Sequence, residues 1–66
     1  MSYEVFQQKV NGIVNRMKGK KPRVNFRHDN GRHYANFDDG TTIIGNTVAK
    51  SVTVRWGSGH NANAMI

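Results

Sequence analysis

The N-terminal segment carries apolar residues at three- and four-residue spacing, which is the pattern of an amphipathic helix. Ser2 is a suitable N-cap, while Gly19 and Pro22 favour an end to the helix. We therefore predict a helix over about residues 2–18. Gly12 is interpreted as a tolerated weak point that costs about 1 kcal/mol relative to alanine. The apolar positions are Tyr3, Phe6, Val10, Ile13, Val14 and Met17.

From Arg23 onward the apolar period changes to two, which is the period of a β-strand. The Asn30-Gly31 dipeptide lies between two alternating segments and predicts a hairpin, because a type I′ turn needs positive φ at both central residues. This turn places His28 opposite His33. The predicted inner face carries Val24, Phe26, His28, His33, Ala35 and Phe37, and the predicted polar face carries Arg23, Asn25, Arg27, Tyr34 and Asn36.

The segment Asp38-Asp39-Gly40 predicts a second turn with two alternative registers. A two-residue turn places Thr42 and Ile44 on the apolar face. A three-residue loop that the glycine closes with a bulge places Thr41 and Ile43 there instead. The sequence leaves both registers open.

One helix followed by short strands with short turns predicts an α+β fold, with the helix on the apolar face of an antiparallel meander sheet. The main variant is a small SH3-like or Sm-like barrel. A basic helix before five strands resembles the layout of Sm-like RNA-binding proteins, in the order of the elements alone. The aromatic residues Tyr3, Phe6, Phe26, Phe37 and Trp56 are assigned to the core or its rim. The predicted strands cover about residues 23–28, 33–38, 41–45 and 51–56, and 61–66 is either a fifth strand or a tail.

The composition limits the chain to one small domain of 66 residues. Without cysteine there is neither a disulfide framework nor a thiolate metal site. The first residues lack the long apolar stretch of a signal peptide, and no apolar run is long enough to span a membrane. We therefore expect a cytoplasmic protein.

Candidate catalytic residues are few, and we predict neither an enzyme nor a cofactor. Three of the four acidic residues lie in predicted turns, and the fourth lies in the first turn of the helix. His28 and His33 could share a metal ion with His60, but this ligand set is incomplete without cysteine. We interpret the two facing histidines as a cross-strand pair at the edge of the core and predict no metal site.

The positive charge is clustered rather than evenly spread. A net charge of +6 is within the range of an ordinary solubility surface. However, five of the ten Lys and Arg residues lie between Arg16 and Arg23, a cluster that favours phosphate binding. We predict a nucleic-acid site in which the helix end holds phosphates and the polar hairpin face contacts bases. The predicted residues are Arg16, Lys18, Lys20, Lys21, Arg23, Arg27, Arg32, Tyr34 and Arg55.

A protein-interaction module is the alternative function. A small domain with an exposed sheet edge can form a homodimer, or add a strand to a partner, through strand pairing. Residues 61–66 are the candidate segment because they end in apolar side chains.

Overall fold

The computed structural model describes residues 1–66 and contains one helix followed by a five-stranded antiparallel sheet. The strands are neighbours in their order along the chain, so β1 and β5 form the two edges and the sheet is not closed into a barrel. The α+β meander is therefore confirmed, and the barrel variant is wrong. The elements are α1 (Tyr3–Arg16), β1 (Val24–Asp29), β2 (Arg32–Phe37), β3 (Thr42–Asn46), β4 (Ser51–Arg55) and β5 (Asn61–Met65).

The hairpin of β1 and β2 has the register that its turn predicts. His28 lies opposite His33, and the pairing continues outward to the ends of both strands. Asn30 and Gly31 have φ values of 49° and 75°, as a type I′ turn requires. The turn chemistry and the apolar pattern therefore specify the same pairing.

The loop between β2 and β3 resolves the register that the sequence left open. The N–H of Phe37 donates to the carbonyl of Thr41 at 2.8 Å, which encloses a three-residue loop. Gly40 closes this loop with a φ of 91°. Ile43 consequently lies opposite Ala35 and is buried. The three-residue alternative is the one that the structure contains.

Helix α1 begins as predicted and ends two residues early. Ser2 caps its first turn through the hydroxyl oxygen. The helix ends at Arg16 rather than at residue 18, because Met17 is already extended with φ −70° and ψ 141°. The ammonium group of Lys21 donates to the carbonyl of Asn15 at 3.0 Å. This side chain therefore satisfies one of the carbonyl groups that the helix end leaves without a partner.

The core forms where α1 packs on the inner face of the sheet. Phe6 is fully buried there and fits against Gly45. A Cβ atom added at Gly45 would lie 3.0 Å from Cδ1 of Phe6 and 3.3 Å from Cγ1 of Val52. The absence of a side chain at this position therefore makes room for the phenylalanine ring. The buried apolar residues are Phe6, Val10 and Val14 of α1 with Ala35, Phe37, Ile43 and Val52 of the sheet.

The single helix is too narrow to cover the whole inner face. Five strands about 4.8 Å apart make a sheet roughly 24 Å wide, whereas a helix with its side chains is about 10–12 Å across. Helix α1 packs closest to β2. Val54 of β4 and Ala64 of β5 are only partly buried, and Trp56, just after β4, is 44% exposed at the rim of the core.

Substitution of Gly45 by alanine is expected to lower the free energy of unfolding by about 1–3 kcal/mol, because the added methyl group overpacks the Phe6 site. The matched control is Gly12→Ala, because no atom lies within 4 Å of the Cβ that it adds. This control should raise the stability by about 1 kcal/mol through helix propensity. Urea unfolding followed by circular dichroism measures both changes. A Gly45→Ala protein as stable as the unsubstituted chain would contradict the proposed packing.

Candidate nucleic-acid interface

The face of the sheet away from α1 carries two rows of mainly polar side chains that cross all five strands. These residues alternate along each strand with those that face the helix. We call these two rows the outer face. The first row is Arg27, Tyr34, Ile44, Thr53 and Asn63, and the second is Asn25, Asn36, Thr42, Arg55 and Asn61.

Arg27 and Tyr34 form a stacked pair at the β1 side of the first row. The guanidinium carbon of Arg27 lies 4.4 Å from the centroid of the Tyr34 ring. A cation–π contact at an exposed site contributes about 0.5–1 kcal/mol. The pair also presents a flat, cationic surface, and nucleic-acid bases stack on both aromatic rings and guanidinium planes.

Two threonine–asparagine hydrogen bonds orient amide groups on the outer face. The hydroxyl of Thr42 donates to the side-chain oxygen of Asn36 at 3.1 Å. The hydroxyl of Thr53 donates to the side-chain oxygen of Asn63 at 3.2 Å. Each bond uses the oxygen of the amide and leaves its NH₂ group as a donor for another partner. The outer face therefore offers oriented amides beside the stacked pair.

The charge of the outer face is positive. No carboxylate occupies either row, and the acidic residue nearest to them along a strand is Asp29, at the end of β1 opposite Arg32. Arg27 and Arg55 lie within the rows. Such a surface attracts polyanions through Coulomb interactions.

The structure divides the predicted binding residues between two surfaces. Arg27, Arg32, Tyr34 and Arg55 belong to strands and point away from α1. Arg16, Lys20 and Lys21 instead lie on the helix side of the sheet, near Ile13. Lys18 is exposed in the segment after α1, and Arg23 immediately precedes β1. The structure therefore does not bring the predicted residues together as one continuous patch.

Several outer-face residues are missing from the prediction based on the sequence. Thr42 belongs to the outer face only in the three-residue version of the second turn, which the sequence left open. Gly40 carried the available signal, since a glycine at positive φ closes such loops. For Asn61 and Asn63, the available signal was Gly59, which closes the three-residue loop before β5 with a φ of 96°.

Of the two adjacent acidic residues after β2, Asp39 stabilises the turn. The backbone N–H of Thr41 donates to Asp39 at 2.9 Å. This hydrogen bond and that of the Thr41 side chain lower the pKa of Asp39. The charged form of Asp39 is therefore favoured as an acceptor that stabilises the loop.

The facing histidines form a hydrogen-bonded pair at the edge of the core. Nε2 of the fully buried His33 lies 2.9 Å from the carbonyl oxygen of Met1, so this nitrogen is the donor. Nδ1 of His33 lies 2.9 Å from Nδ1 of His28, and the two nitrogens share a hydrogen bond. The ring of Tyr3 packs 5.2 Å from His28 and 5.5 Å from His33, between ring centroids. Both nitrogens of His33 are thus committed to structural partners.

The third histidine is distant from this pair. His60 lies in the turn before β5, and β5 begins opposite Arg55. The histidine pair lies at the other end of the sheet, where His33 is opposite Gly45. The structure contains no group of three or more His, Cys, Asp or Glu side chains that could hold a metal ion.

Comparison with known proteins gives no family assignment. No family model, no curated protein and no solved structure matches this chain. The structure itself defines a two-layer α+β domain with one helix on a five-stranded meander. No helix in it combines the length and apolar character needed to cross a membrane.

Replacement of His33 by leucine is expected to lower the free energy of unfolding by about 1–3 kcal/mol, because the Met1 carbonyl and the His28 ring lose their partner. The matched control is His60→Leu, at an exposed position, which should change the stability by less than about 0.5 kcal/mol. Urea unfolding of both variants tests the role of the pair. Equal stability of the two variants would show that the buried hydrogen bonds do not support the fold.

Proposed function

We propose that this protein binds single-stranded nucleic acid on the outer face of its sheet. The observation that carries the proposal is the Arg27–Tyr34 stack, 4.4 Å apart, on a face whose two rows contain no carboxylate. Rings, guanidinium groups and amides on a sheet are the groups with which proteins bind unpaired bases.

Each kind of side chain on the outer face has a separate part in this proposal. A base stacks on the Arg27–Tyr34 pair, while Arg55 attracts the phosphates. The amides of Asn36 and Asn63 donate hydrogen bonds to base edges. Neutralisation of phosphates releases counterions, so the affinity depends on salt concentration.

The cationic segment after α1 adds positive charge beyond this site. β1 is an edge strand, and Arg23 precedes it directly. In this proposal Arg23 and Lys18 attract phosphates that extend past the outer face. These side chains contribute charge rather than base contacts.

A single strand fits this face better than a duplex does. Bases can stack on the Arg27–Tyr34 pair only when their faces are exposed, and a duplex buries those faces against neighbouring base pairs. Duplex binding would use the arginine charges alone. We therefore expect tighter binding of unpaired oligonucleotides.

Replacement of Arg27 by alanine is expected to weaken the binding of a fluorescein-labelled oligothymidine by about 5- to 150-fold, because base stacking contributes roughly 1–3 kcal/mol. Fluorescence anisotropy measures this affinity over a series of salt concentrations. The matched control is Lys9→Ala, which removes one positive charge from α1 on the other side of the sheet. An equal loss of affinity in Arg27→Ala and Lys9→Ala would indicate diffuse charge attraction instead of a defined binding site.

The variant Arg27→Lys separates stacking from charge. Lysine keeps the positive charge and lacks the planar guanidinium group, so the affinity should fall while the salt dependence stays close to that of the unsubstituted protein. Full affinity in Arg27→Lys, with weak binding in Arg27→Ala, would contradict the stacking role. Equal affinity for oligothymidine and a duplex of the same length would contradict the preference for single strands.

The open sheet edges favour strand pairing as a second candidate function. β1 and β5 each have one side without a neighbouring strand, and Met65 on β5 is 73% exposed. Pairing of β5 with another copy would complete its backbone hydrogen bonds. Light scattering over a concentration series should then show a discrete dimer, and a monomer throughout would count against this function.

A further inference from the structure

An apolar groove of about 880 Å³ separates the C-terminal half of α1 from the inner face of β4 and β5. Ile13 and Met17 line it on the helix side. Val54, Ala64 and Trp56 line it on the sheet side. This groove lies on the opposite side of the sheet from the outer face.

Large apolar side chains in this groove remain in contact with water. Met17 is 40% exposed, and Trp56 is 44% exposed. Exposed apolar surface of this kind, bordered by polar residues, commonly marks an interaction site. Tryptophan is also enriched among the residues that dominate binding energy at interfaces, and methionine adapts its shape to different partners.

The dimensions of the sheet indicate what can fill this space. A sheet roughly 24 Å wide accommodates two helices of about 10–12 Å side by side, and α1 is one helix. Beside the C-terminal end of α1, Val54 and Ala64 are left only partly buried, so this part of the inner face can take up a second apolar segment. A helix that lies in an apolar groove uses residues at helical spacing as its anchors.

The charged residues on the helix side of the groove are positive. Lys20 and Lys21 line it near Met17. Lys9 and Arg16 of α1 lie beside Ile66, which belongs to the same groove. The two acidic residues that line it are Asp38 and Asp39, in the loop after β2. An occupant with an acidic flank toward α1 would complement these four cations.

We propose that this groove binds an amphipathic helix of a partner protein, with an apolar stripe against Met17 and Trp56 and acidic residues along the flank that faces α1. This proposal is independent of nucleic-acid binding, because it uses the other face of the sheet. A second copy of the chain fits less well, since each copy carries a net charge of +6 and the same cations around its groove.

The single tryptophan of the chain reports directly on occupancy of the groove. The probe is a synthetic peptide of about the length of α1, which has 14 residues, with leucines at helical spacing and glutamates along one flank. The control peptide has lysines in place of the glutamates. We expect a saturable blue shift of Trp56 emission with the glutamate peptide and binding about tenfold weaker with the lysine peptide.

Two variants connect the signal to the groove. Lys20→Glu should lower the affinity for the glutamate peptide several-fold and raise the affinity for the lysine peptide, because it reverses one charge beside the groove. Met17→Glu, at an exposed position, should lower the affinity for both peptides. Circular dichroism should show that this variant keeps its fold. If Met17→Glu unfolds the protein, the reversed preference in Lys20→Glu still decides the question.

Several outcomes would overturn the proposal. These are the absence of a saturable shift with the glutamate peptide, equal binding of both peptides, or an unchanged preference in Lys20→Glu. Displacement of the peptide by palmitate at comparable concentrations would instead assign the groove to an acyl chain. A dimer in light scattering that dissociates when the peptide binds would assign it to a second copy.

Discussion

The packing of Phe6 against Gly45 determines where the helix can lie on the sheet. A side chain at Gly45 would occupy the space of the Phe6 ring, since its Cβ would be 3.0 Å from Cδ1 of that ring. Phe6 also contacts the rings of Phe26 and His33, which belong to β1 and β2. The N-terminal half of α1 is thereby fixed over the middle of the sheet, where β1, β2 and β3 all contribute to the Phe6 site. With few other large buried side chains, the domain depends strongly on this one site.

The position of the helix has consequences for both faces of the sheet. On the inner face, α1 leaves an apolar groove beside β4 and β5, with lysines along the helix side. On the other face, the alternation of strand residues exposes arginine, tyrosine, threonine and asparagine side chains in two rows. The cations that are clustered in the sequence are consequently divided between two surfaces with different chemistry. A domain with so few buried residues acts through these surfaces.

Local sequence signals predicted some of these features and not others. The Asn30-Gly31 turn sets the register of the first hairpin, which was predicted residue by residue. The second turn allowed two registers, because a glycine after Asp39 suits loops of either length. The separation of Lys20 and Lys21 from Arg27 could not be predicted, because it depends on where the helix packs. No local pattern indicates that Gly45 receives Phe6, since that contact joins residues far apart in the chain.

The central claim is that nucleic acid binds the strand face opposite the helix. The most direct test is a map of backbone amide chemical shifts recorded while oligothymidine is added to the protein. The account predicts that the largest changes occur in the outer face, at Tyr34, Asn36 and Thr53. Changes confined to α1 and to residues 18–22, with the strands unaffected, would contradict it.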